Sequence, residues 1–419
     1  MASHAPRERP LRIGFDATCA GIAGSARTGV FQYCDQLLRE IGRQAAPADR
    51  LELLFALPHP KHRGAIREYS RSLGLPSVSA HTAWLPGRHL LRWRIPVDLF
   101  TGPIDVFHAP AHLGFACRGC PTIVTVHDLA YLDDRGGLST PDGLDAAARM
   151  RWATRRRFFA ELAENMVDSL ARATHVIAVS RATADALINR LGVDPAKVSA
   201  VPLGVRDGFR PVDASSWHPV LSKLGIAPGY LLYVGVLDPN KNLDTLVEGY
   251  AVYRRRGGLR PLMLGGHSPF YRQLLEARVA RLGLQEHVRF VGFFDEADLA
   301  AVYSAAHALA MPSPLEGFGL PAVEAMACGT PVFAADRGAL PEVVGDAGLQ
   351  VPSDSADGFG EAMLALDEPD LHARLSARGL ERARLFSWRE AGARTLAIYR
   401  DQAAAAGAPA RRTNSEAVT

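Results

Sequence analysis

Short apolar segments alternate with longer amphipathic stretches along almost all of the 419-residue chain. The predicted strands of the first half are LRIGFDA (11–17), LELLFAL (51–57), DVFHA (105–109), TIVTVHD (122–128) and HVIAVS (175–180). Those of the second half are YLLYVG (230–235), LRPLMLGG (259–266), VRFVGF (288–293), HALAMPS (307–313), TPVFAA (330–335) and GLQVP (348–352). Strands that are apolar on both faces belong to parallel sheets covered by helices on both sides. The pattern therefore predicts an α/β protein with doubly wound parallel sheets.

The two halves meet at VPLGVRDGFRPVDASS (201–216), where Pro, Gly, Asp and Ser cluster as in a linker. The length is also right for two domains. We predict a flexible lead (1–10), a first domain (11–205) and a second domain (206–385), with a cleft between the two. The Ala-rich segment 401–419 has no amphipathic period and is predicted to be a disordered tail.

Composition excludes several classes of protein. The 47 Lys and Arg residues nearly balance the 44 Asp and Glu residues, which argues against a dedicated nucleic-acid binder. The N-terminus lacks the apolar stretch of a signal peptide, and no run reaches the length of a membrane span, so we expect a soluble, cytoplasmic protein. The five cysteines are too sparse to suggest a disulfide framework.

Two carboxylates eight positions apart stand out in PSPLEGFGLPAVEAMACGTPVFA (312–334). The G-F-G between them permits a tight turn, and Pro321 suits a first helical turn. We therefore predict Glu316 in a loop and Glu324 on a helix that begins near Leu320. The start of such a helix attracts anions, and a carboxylate one turn inside it can accept hydrogen bonds from two neighbouring hydroxyls. The spacing fits equally well a strand, turn and helix with two solvated glutamates.

This stretch resembles the E-x7-E region of the retaining glycosyltransferase family 4, and other segments resemble that family in the same order. They are TVHDLAYL (125–132), VIAVSRATADAL (176–187), VPLGV (201–205), YLLYVGVLDPNKNLDTLVEGYA (230–251) and FSWREAGARTLAIYR (386–400). The resemblance extends from Leu11 to Arg400. It implies a GT-B fold, in which two Rossmann-like domains face each other across a cleft and a closing helix (386–400) crosses back to the first domain.

The resemblance also implies roles for individual residues. Lys241 matches the lysine that neutralises the donor diphosphate, and a compact cation in a Pro-Asn-Lys-Asn turn suits a phosphate contact on its own account. Glu324 matches the residue that binds the nucleotide ribose, and Glu316 matches the one that faces the donor sugar. The backbone amides expected at the sugar and phosphate are those of Gly317, Phe318, Gly319 and Leu320.

Two further residues match the family in the first half. Gly29, in the loop CAGIAGSARTGVFQY (19–33), aligns with the glycine that lets the diphosphate come close, and this loop is not the G-x-G-x-x-G of a dinucleotide site. His127 matches the histidine beside the reacting sugar, although a histidine at a strand end is more often structural.

The sequence departs from the family at two positions. Many relatives carry an arginine beside the lysine, whereas Val236 and Asn240 occupy those places here. Either Lys241 acts with the helix dipole alone, or Arg27 or Arg181 supplies the second cation. The departure leaves reduced activity open.

We expect no metal site and no cofactor. His108, His112, Cys117 and Cys120 are residue types that bind zinc, but their order is not that of a zinc finger. Asp133 and Asp134 lie in a polar loop, and the resemblance implies an enzyme that needs no metal there.

RMRWATRRRFFAELAENMVDSLAR (149–172) belongs to a long predicted helix with many arginines near Trp152, Phe158 and Phe159. A basic amphipathic helix can rest on an anionic membrane, at the inner face of which a lipid-linked acceptor would be within reach. A solvated face with a core stripe explains the pattern equally well.

The resemblance implies transfer of a hexose, with retention, from a nucleotide-diphosphate sugar to a hydroxyl of a saccharide or lipid-linked saccharide. Relatives with a similar L-x-P-x-K-N turn act on bacterial polysaccharides with GDP-mannose, so we expect mannose from that donor in polysaccharide or glycolipid synthesis. The alternatives are a GT-B nucleotide-sugar epimerase and a catalytically silent binding subunit.

Overall fold

The computed structural model describes residues 9–21, 28–57, 59–75, 77–111, 114–132, 146–268 and 271–407. Arg27, His112, Asp133, Asp134 and residues 1–8 and 408–419 lie outside the described residues. The described chain contains two parallel sheets, one in each half, which confirms the predicted pair of doubly wound α/β domains.

The first sheet has seven strands in the order β3-β2-β1-β4-β5-β6-β7. They are β1 (Arg12–Asp16), β2 (Arg50–Phe55), β3 (Val78–Thr82), β4 (Val106–Ala109), β5 (Thr122–Val126), β6 (His175–Ala178) and β7 (Val198–Ala200). The sequence did not predict β3 or β7. β3 lies at the sheet edge and has no buried residue, and β7 is three residues long, so neither has an apolar run.

The second sheet has six strands in the order β10-β9-β8-β11-β12-β13. They are β8 (Leu231–Val234), β9 (Leu262–Gly265), β10 (Val288–Gly292), β11 (Ala308–Met311), β12 (Val332–Ala335) and β13 (Gly348–Val351). The strand order reverses between β1 and β4 in one sheet and between β8 and β11 in the other. Ligands of open α/β sheets bind outside the carboxyl ends of the strands at such reversals.

Helices cover both sheets. Those of the first half are α1 (Gly29–Gln44), α2 (Arg63–Ser72), α3 (Gly87–Arg92), α4 (Asp98–Thr101), α5 (Ala146–Arg172) and α6 (Arg181–Leu191). Those of the second half are α7 (Ala214–Leu224), α8 (Leu243–Arg255), α9 (Tyr271–Arg281), α10 (Leu299–Ala305), α11 (Leu320–Ala327), α12 (Leu340–Val344), α13 (Ala356–Leu366), α14 (Pro369–Ala383) and α15 (Trp388–Gly407).

The last helix crosses back to the first domain. α15 packs against α1, where Gln44 Nε2 donates to the carbonyl oxygen of Arg389 at 2.9 Å. Further along, the hydroxyl of Tyr399 lies 2.5 Å from Nδ1 of His108 in β4. α15 ends at Gly407, so the prediction of a disordered tail is wrong for residues 401–407, which continue the helix. Four consecutive alanines are good helix formers, and this propensity outweighs the missing amphipathic period.

The basic helix α5 buries its tryptophan. Trp152 is 1% exposed, whereas Arg149, Arg156 and Arg157 are exposed. Trp152 therefore belongs to the protein interior and is unable to insert into a bilayer. Within the described ranges, no helix combines the length and the apolarity needed to cross a membrane.

Candidate active site

A cavity of about 520 Å³ lies where the carboxyl ends of the strands of both sheets meet. Thr28 and Gly29, at the start of α1, come from the first domain, and the segments that follow β8, β10 and β11 come from the second. The cavity therefore occupies the cleft between the domains, at the reversals of strand order in both sheets. This is the position that the fold favours for a ligand.

Two loops of the second domain are bonded to each other at this cavity. After β8, Asp238 accepts a hydrogen bond from the N–H of Asn240 at 3.0 Å and starts a 3-10 turn, Pro239–Lys241. The side-chain amide of Asn242 donates to the carbonyl oxygens of Pro312 (3.1 Å) and Ser353 (2.6 Å). These bonds hold the lysine turn against the loop that follows β11.

Lys241 and Glu316 form an ion pair inside the cavity. The Nζ atom of Lys241 lies 2.5 Å from Oε1 of Glu316, and the two side chains are 29% and 16% exposed. Burial on its own lowers the pKa of Lys241. The Glu316 carboxylate and the nearby Asp128 and Asp238 raise it by a larger amount, so the pKa of Lys241 lies above its ordinary value. The lysine is therefore an ammonium ion and is available to an anionic ligand.

The E-x7-E stretch folds as predicted, with Glu316 in a loop and Glu324 on α11. Gly319 caps the helix with φ of 92°, a left-handed conformation that a residue with a Cβ adopts only under strain. Leu320 begins the helix and lines the cavity together with Pro321 and both glutamates. The positive end of the helix dipole is thereby directed at the site.

The structure pairs Glu324 with an arginine that sequence reasoning missed. Nε and Nη2 of Arg206 donate to Oε1 of Glu324 at 2.9 and 2.7 Å, and the two side chains are 8% and 6% exposed. Burial raises the pKa of Glu324, and the Arg206 guanidinium opposes that rise without cancelling it. The only signal in the sequence was an arginine directly after the apolar V-P-L-G-V segment. Nothing in the local pattern connects that position to Glu324, 118 residues away.

Gly317 brings the same loop against the first domain. A Cβ at Gly317 would overlap the carbonyl oxygen of His127, and Thr183 donates from its hydroxyl to the Gly317 carbonyl at 3.3 Å. His127 itself donates from Nε2 to the carbonyl oxygen of Pro110 at 2.8 Å, since a carbonyl only accepts. Burial lowers the pKa of His127, so Nδ1 is the unprotonated nitrogen.

The remaining predicted residues divide between the cavity and the protein around it. Gly29 lines the cavity, and a Cβ at this position would meet no described atom within 4 Å. Phe318 points its ring into the core, where it contacts Phe386 at a centroid distance of 5.4 Å. Among the described residues, the lining of the cavity includes Lys241, Glu316, Leu320 and Glu324, but not His127, Gly317, Phe318 or Gly319.

The two departures from the family lie at the site. Val236 lines the cavity and is 54% exposed, and Oδ1 of Asn240 is buried without a hydrogen-bond partner in the described part of the chain. Arg181 does not supply the expected second cation to the cavity, because its exposed side chain is not part of the described lining. Arg206 is the arginine that lines the cavity together with Lys241.

The residues considered as zinc ligands have other partners. His108 is buried, with Nδ1 next to the hydroxyl of Tyr399 and Nε2 2.7 Å from the hydroxyl of Thr125. Cys117 and Cys120 form a disulfide, a local bond that the sparse cysteine composition did not predict. Over the described ranges, no group of three or more His, Cys, Asp or Glu side chains is arranged to hold a metal ion.

Two family descriptions match consecutive parts of the chain. "Glycosyltransferase Family 4" matches residues 29–208, and "Glycosyl transferases group 1" matches residues 223–382. Together they cover most of both domains and every described residue of the cavity lining except Thr28.

Curated relatives agree with this match. The D-inositol 3-phosphate glycosyltransferase of Actinosynnema mirum is 36% identical over 322 residues, which cover 71% of this chain and 72% of that protein. The MMP alpha-(1->4)-mannosyltransferase of Mycolicibacterium hassiacum is 30% identical, with 71% of each chain covered. The O-antigen chain mannosyltransferase B of Escherichia coli is 32% identical over 240 residues, which are 57% of this chain and 63% of that protein's length.

Solved structures share the fold. Sucrose-phosphate synthase from Thermosynechococcus elongatus superimposes with a TM-score of 0.67 at 23% identity, covering 94% of this chain and 100% of that one. Alr3699/HepE from Anabaena, in complex with UDP and glucose, has a TM-score of 0.64 at 19% identity, with 93% and 99% covered. With the paired sheets and the matched relatives, these similarities establish that the chain belongs to the family 4 glycosyltransferases of the GT-B type.

Proposed function

We propose that this glycosyltransferase moves a hexose from a nucleotide-diphosphate sugar to a hydroxyl acceptor with retention of configuration. The observation that carries the proposal is the convergence of Lys241, Glu316, Glu324 and Gly29 on one interdomain cavity. The cation and the open helix start are suited to a diphosphate, Glu316 to hydroxyls of the sugar, and Glu324 to a ribose.

Lys241 would stabilise the leaving diphosphate. As the bond from the sugar to the phosphate breaks, negative charge accumulates on the phosphate oxygens, and a preorganised cation stabilises that charge by about 3–4 kcal/mol. The ion pair with Glu316 holds the ammonium group in place before the donor arrives. Leu320, the first residue of α11, lines the same cavity, and the positive end of this helix would add to the stabilisation.

In the proposed transfer, the bond between the anomeric carbon and the phosphate oxygen breaks while the acceptor oxygen bonds to the same face of that carbon. The acceptor hydroxyl gives its proton to the departing phosphate, so that charge and atoms balance without a covalent intermediate. Glu316 would hold hydroxyls of the donor sugar. His127 lies outside the described cavity lining, against Gly317 of the same loop, and we propose that it stands beside the reacting sugar.

We propose GDP-mannose as the donor and a saccharide or lipid-linked saccharide of bacterial polysaccharide or glycolipid synthesis as the acceptor. The support is that two of the relatives described above carry the name mannosyltransferase. No metal or other cofactor is assigned a role, because the lysine and the helix start supply the positive charge.

We further propose that the enzyme contacts an anionic membrane surface through α5. Arg149, Arg156 and Arg157 are exposed on this helix, and each arginine near an anionic surface contributes roughly 1 kcal/mol of attraction. Because Trp152 is buried, the contact would be electrostatic and would not involve insertion of that side chain.

The test is a panel of GDP- and UDP-linked sugars, screened first by thermal shift and then with acceptor glycans. The expected result is donor-dependent stabilisation, transfer in the presence of EDTA, and a product whose anomeric proton has the donor's configuration in NMR spectra. Isomerised donor without transfer would favour the epimerase, and the absence of any donor-dependent stabilisation would favour the silent subunit. An inverted product would refute the retaining mechanism.

A further inference from the structure

Arg206 is buried where the interdomain linker, the first domain and the cavity meet. Its side chain is 8% exposed, and two of its nitrogens donate to the same oxygen of Glu324. The third nitrogen, Nη1, lies 2.5 Å from Oε1 of Glu296 and 3.2 Å from Oε1 of Gln32. Gln32 belongs to α1, so one guanidinium contacts both domains.

The planar fork of Arg206 has a fixed orientation. Its Cζ atom lies 4.7 Å from the centroid of the Phe209 ring, which stacks on one face of the guanidinium. Phe209 in turn contacts Tyr303 at a ring distance of 5.9 Å. The stacked ring and the ion pairs fix the guanidinium plane, so its N–H groups point in one direction. A flexible lysine ammonium would not be fixed in this way.

The hydrogen bonds of Glu324 leave little room for a ligand. A carboxylate oxygen has two lone pairs, and both lone pairs of Oε1 are engaged by Arg206. Oε2 accepts one bond, from the hydroxyl of Tyr303 at 3.2 Å. Oε2 therefore retains one acceptor position, which can take a single hydroxyl.

We propose that Arg206 is a positioning residue of the donor site that favours the ionised form of Glu324 and orients it so that Oε2 accepts one ribose hydroxyl. The inference rests on the proposed function, because it assigns a nucleotide to this site. If the Arg206–Glu324 pair were only structural, its loss would affect stability alone. In the proposed role, the charge and orientation of Glu324 control nucleotide affinity.

The charge of Glu324 depends on its neighbours. The groups that face it are Arg206 from the linker, Tyr303 from α10, Glu296 from the turn before α10, and Cys328 after α11. Burial raises the pKa of Glu324, Glu296 raises it further, and Arg206 is the cation that opposes both. Loss of Arg206 therefore moves the pKa of Glu324 upwards.

The experiment measures binding of GDP and UDP by calorimetry between pH 5.5 and pH 8. In R206M the dissociation constant is expected to rise at least about tenfold at the acid end, and the deficit relative to wild type should shrink as pH rises and Glu324 ionises. R206K keeps the positive charge, so it should keep the wild-type pH profile with weaker affinity.

Three controls keep the outcome clear. In R206M the buried Glu324 carboxylate loses its cation, which could impair folding. R206M/E324Q replaces that carboxylate by a neutral amide, so it should fold and should bind the nucleotides with little pH dependence. R260M breaks the ion pair of Arg260 with Asp367, at 2.6 Å and outside the described cavity lining, and should bind like wild type. Thermal unfolding monitors the fold of each variant.

The deoxy nucleotides test the single acceptor position. Of 2′-deoxy-GDP and 3′-deoxy-GDP, one should bind like GDP and the other at least about tenfold more weakly. Equal losses for both analogues, or an R206M deficit that is the same at every pH, would overturn the inference.

If wild type binds the nucleotides and R206M binds them equally well, the inference fails alone. If wild type binds neither GDP nor UDP, the proposed function fails first.

Discussion

Gly317 of the second domain and His127 of the first domain lie in direct backbone contact. A Cβ on the glycine would occupy the space of the histidine's carbonyl oxygen, so only glycine permits this approach. The contact places the loop that carries Glu316 against the carboxyl end of β5, and it helps to define the width of the cleft.

We expect Gly317→Ala to destabilise this domain contact by about 1–3 kcal/mol, because the added methyl meets rigid backbone that cannot rotate away. Sugar transfer should fall in parallel as the loop with Glu316 is displaced. Thermal unfolding and a transfer assay with radiolabelled donor would measure the two effects. An alanine variant with wild-type stability and activity would show that the loop accommodates the methyl group and that the contact is not needed.

Gly29→Val should act on the ligand and not on the fold. The valine Cβ would enter open space at the cavity, so the free energy of unfolding should change by less than about 1 kcal/mol. The KM for the donor should rise at least about tenfold, a loss of about 1.4 kcal/mol, as the branched side chain excludes the diphosphate. Gly64→Val is the matched control, since Gly64 also lies in a first helical turn with no described atom near its Cβ position, away from the cavity. An unchanged KM in Gly29→Val would contradict the role assigned to this residue.

Lys241→Ala and Glu316→Ala should each lower turnover at least about a hundredfold with the fold intact, because each removes a partner of the leaving group or the sugar. The double variant should lose less than the product of the two single losses, since the residues form one ion pair. Arg260→Ala, which breaks an ion pair outside the described cavity lining, should leave turnover unchanged. Near-normal transfer by either single variant would refute the assignment.

Asp16, at the end of β1, should make stability depend on pH. Burial raises its pKa to about 6, despite hydrogen bonds from Thr18, so the folded state prefers the protonated carboxyl. The contribution of Asp16 to the free energy of unfolding is therefore most favourable below the unfolded pKa of 3.8 and is lost as pH rises towards 6. Relative to wild type, Asp16→Asn should gain about 2 kcal/mol between about pH 4 and pH 8 in urea unfolding. A difference that stays constant over this range would mean that Asp16 does not titrate there.

Reversal of three exposed arginines of α5, Arg149, Arg156 and Arg157, should abolish binding to anionic vesicles. The measurement is co-sedimentation of wild type and R149E/R156E/R157E with phosphatidylglycerol vesicles, with phosphatidylcholine vesicles as the uncharged reference. R63E/R67E/R71E changes the same number of exposed arginines on α2 and should sediment like wild type. If the α2 variant loses binding and the α5 variant keeps it, the membrane face has been assigned to the wrong helix.

The linear pattern was sufficient for the parts of the fold that depend on local chemistry. Apolar runs such as those of β8 and β11 are buried on both faces, so their positions could be predicted from hydrophobicity alone. The same holds for Glu316 and Glu324, because the turn and the helix start between them depend on glycine and proline conformations that are local.

The exposed edge strand β3 could not be predicted in this way, nor could the partners of the site residues. Arg206 and Glu324, or Gly317 and His127, are far apart in the chain and become neighbours through the packing of two domains. Such contacts depend on the summed geometry of two sheets and a linker, which no short window of residues contains. The residue types that can bind a donor can thus be predicted from the sequence. The partners that orient these residues and set their protonation state come into contact with them only after folding.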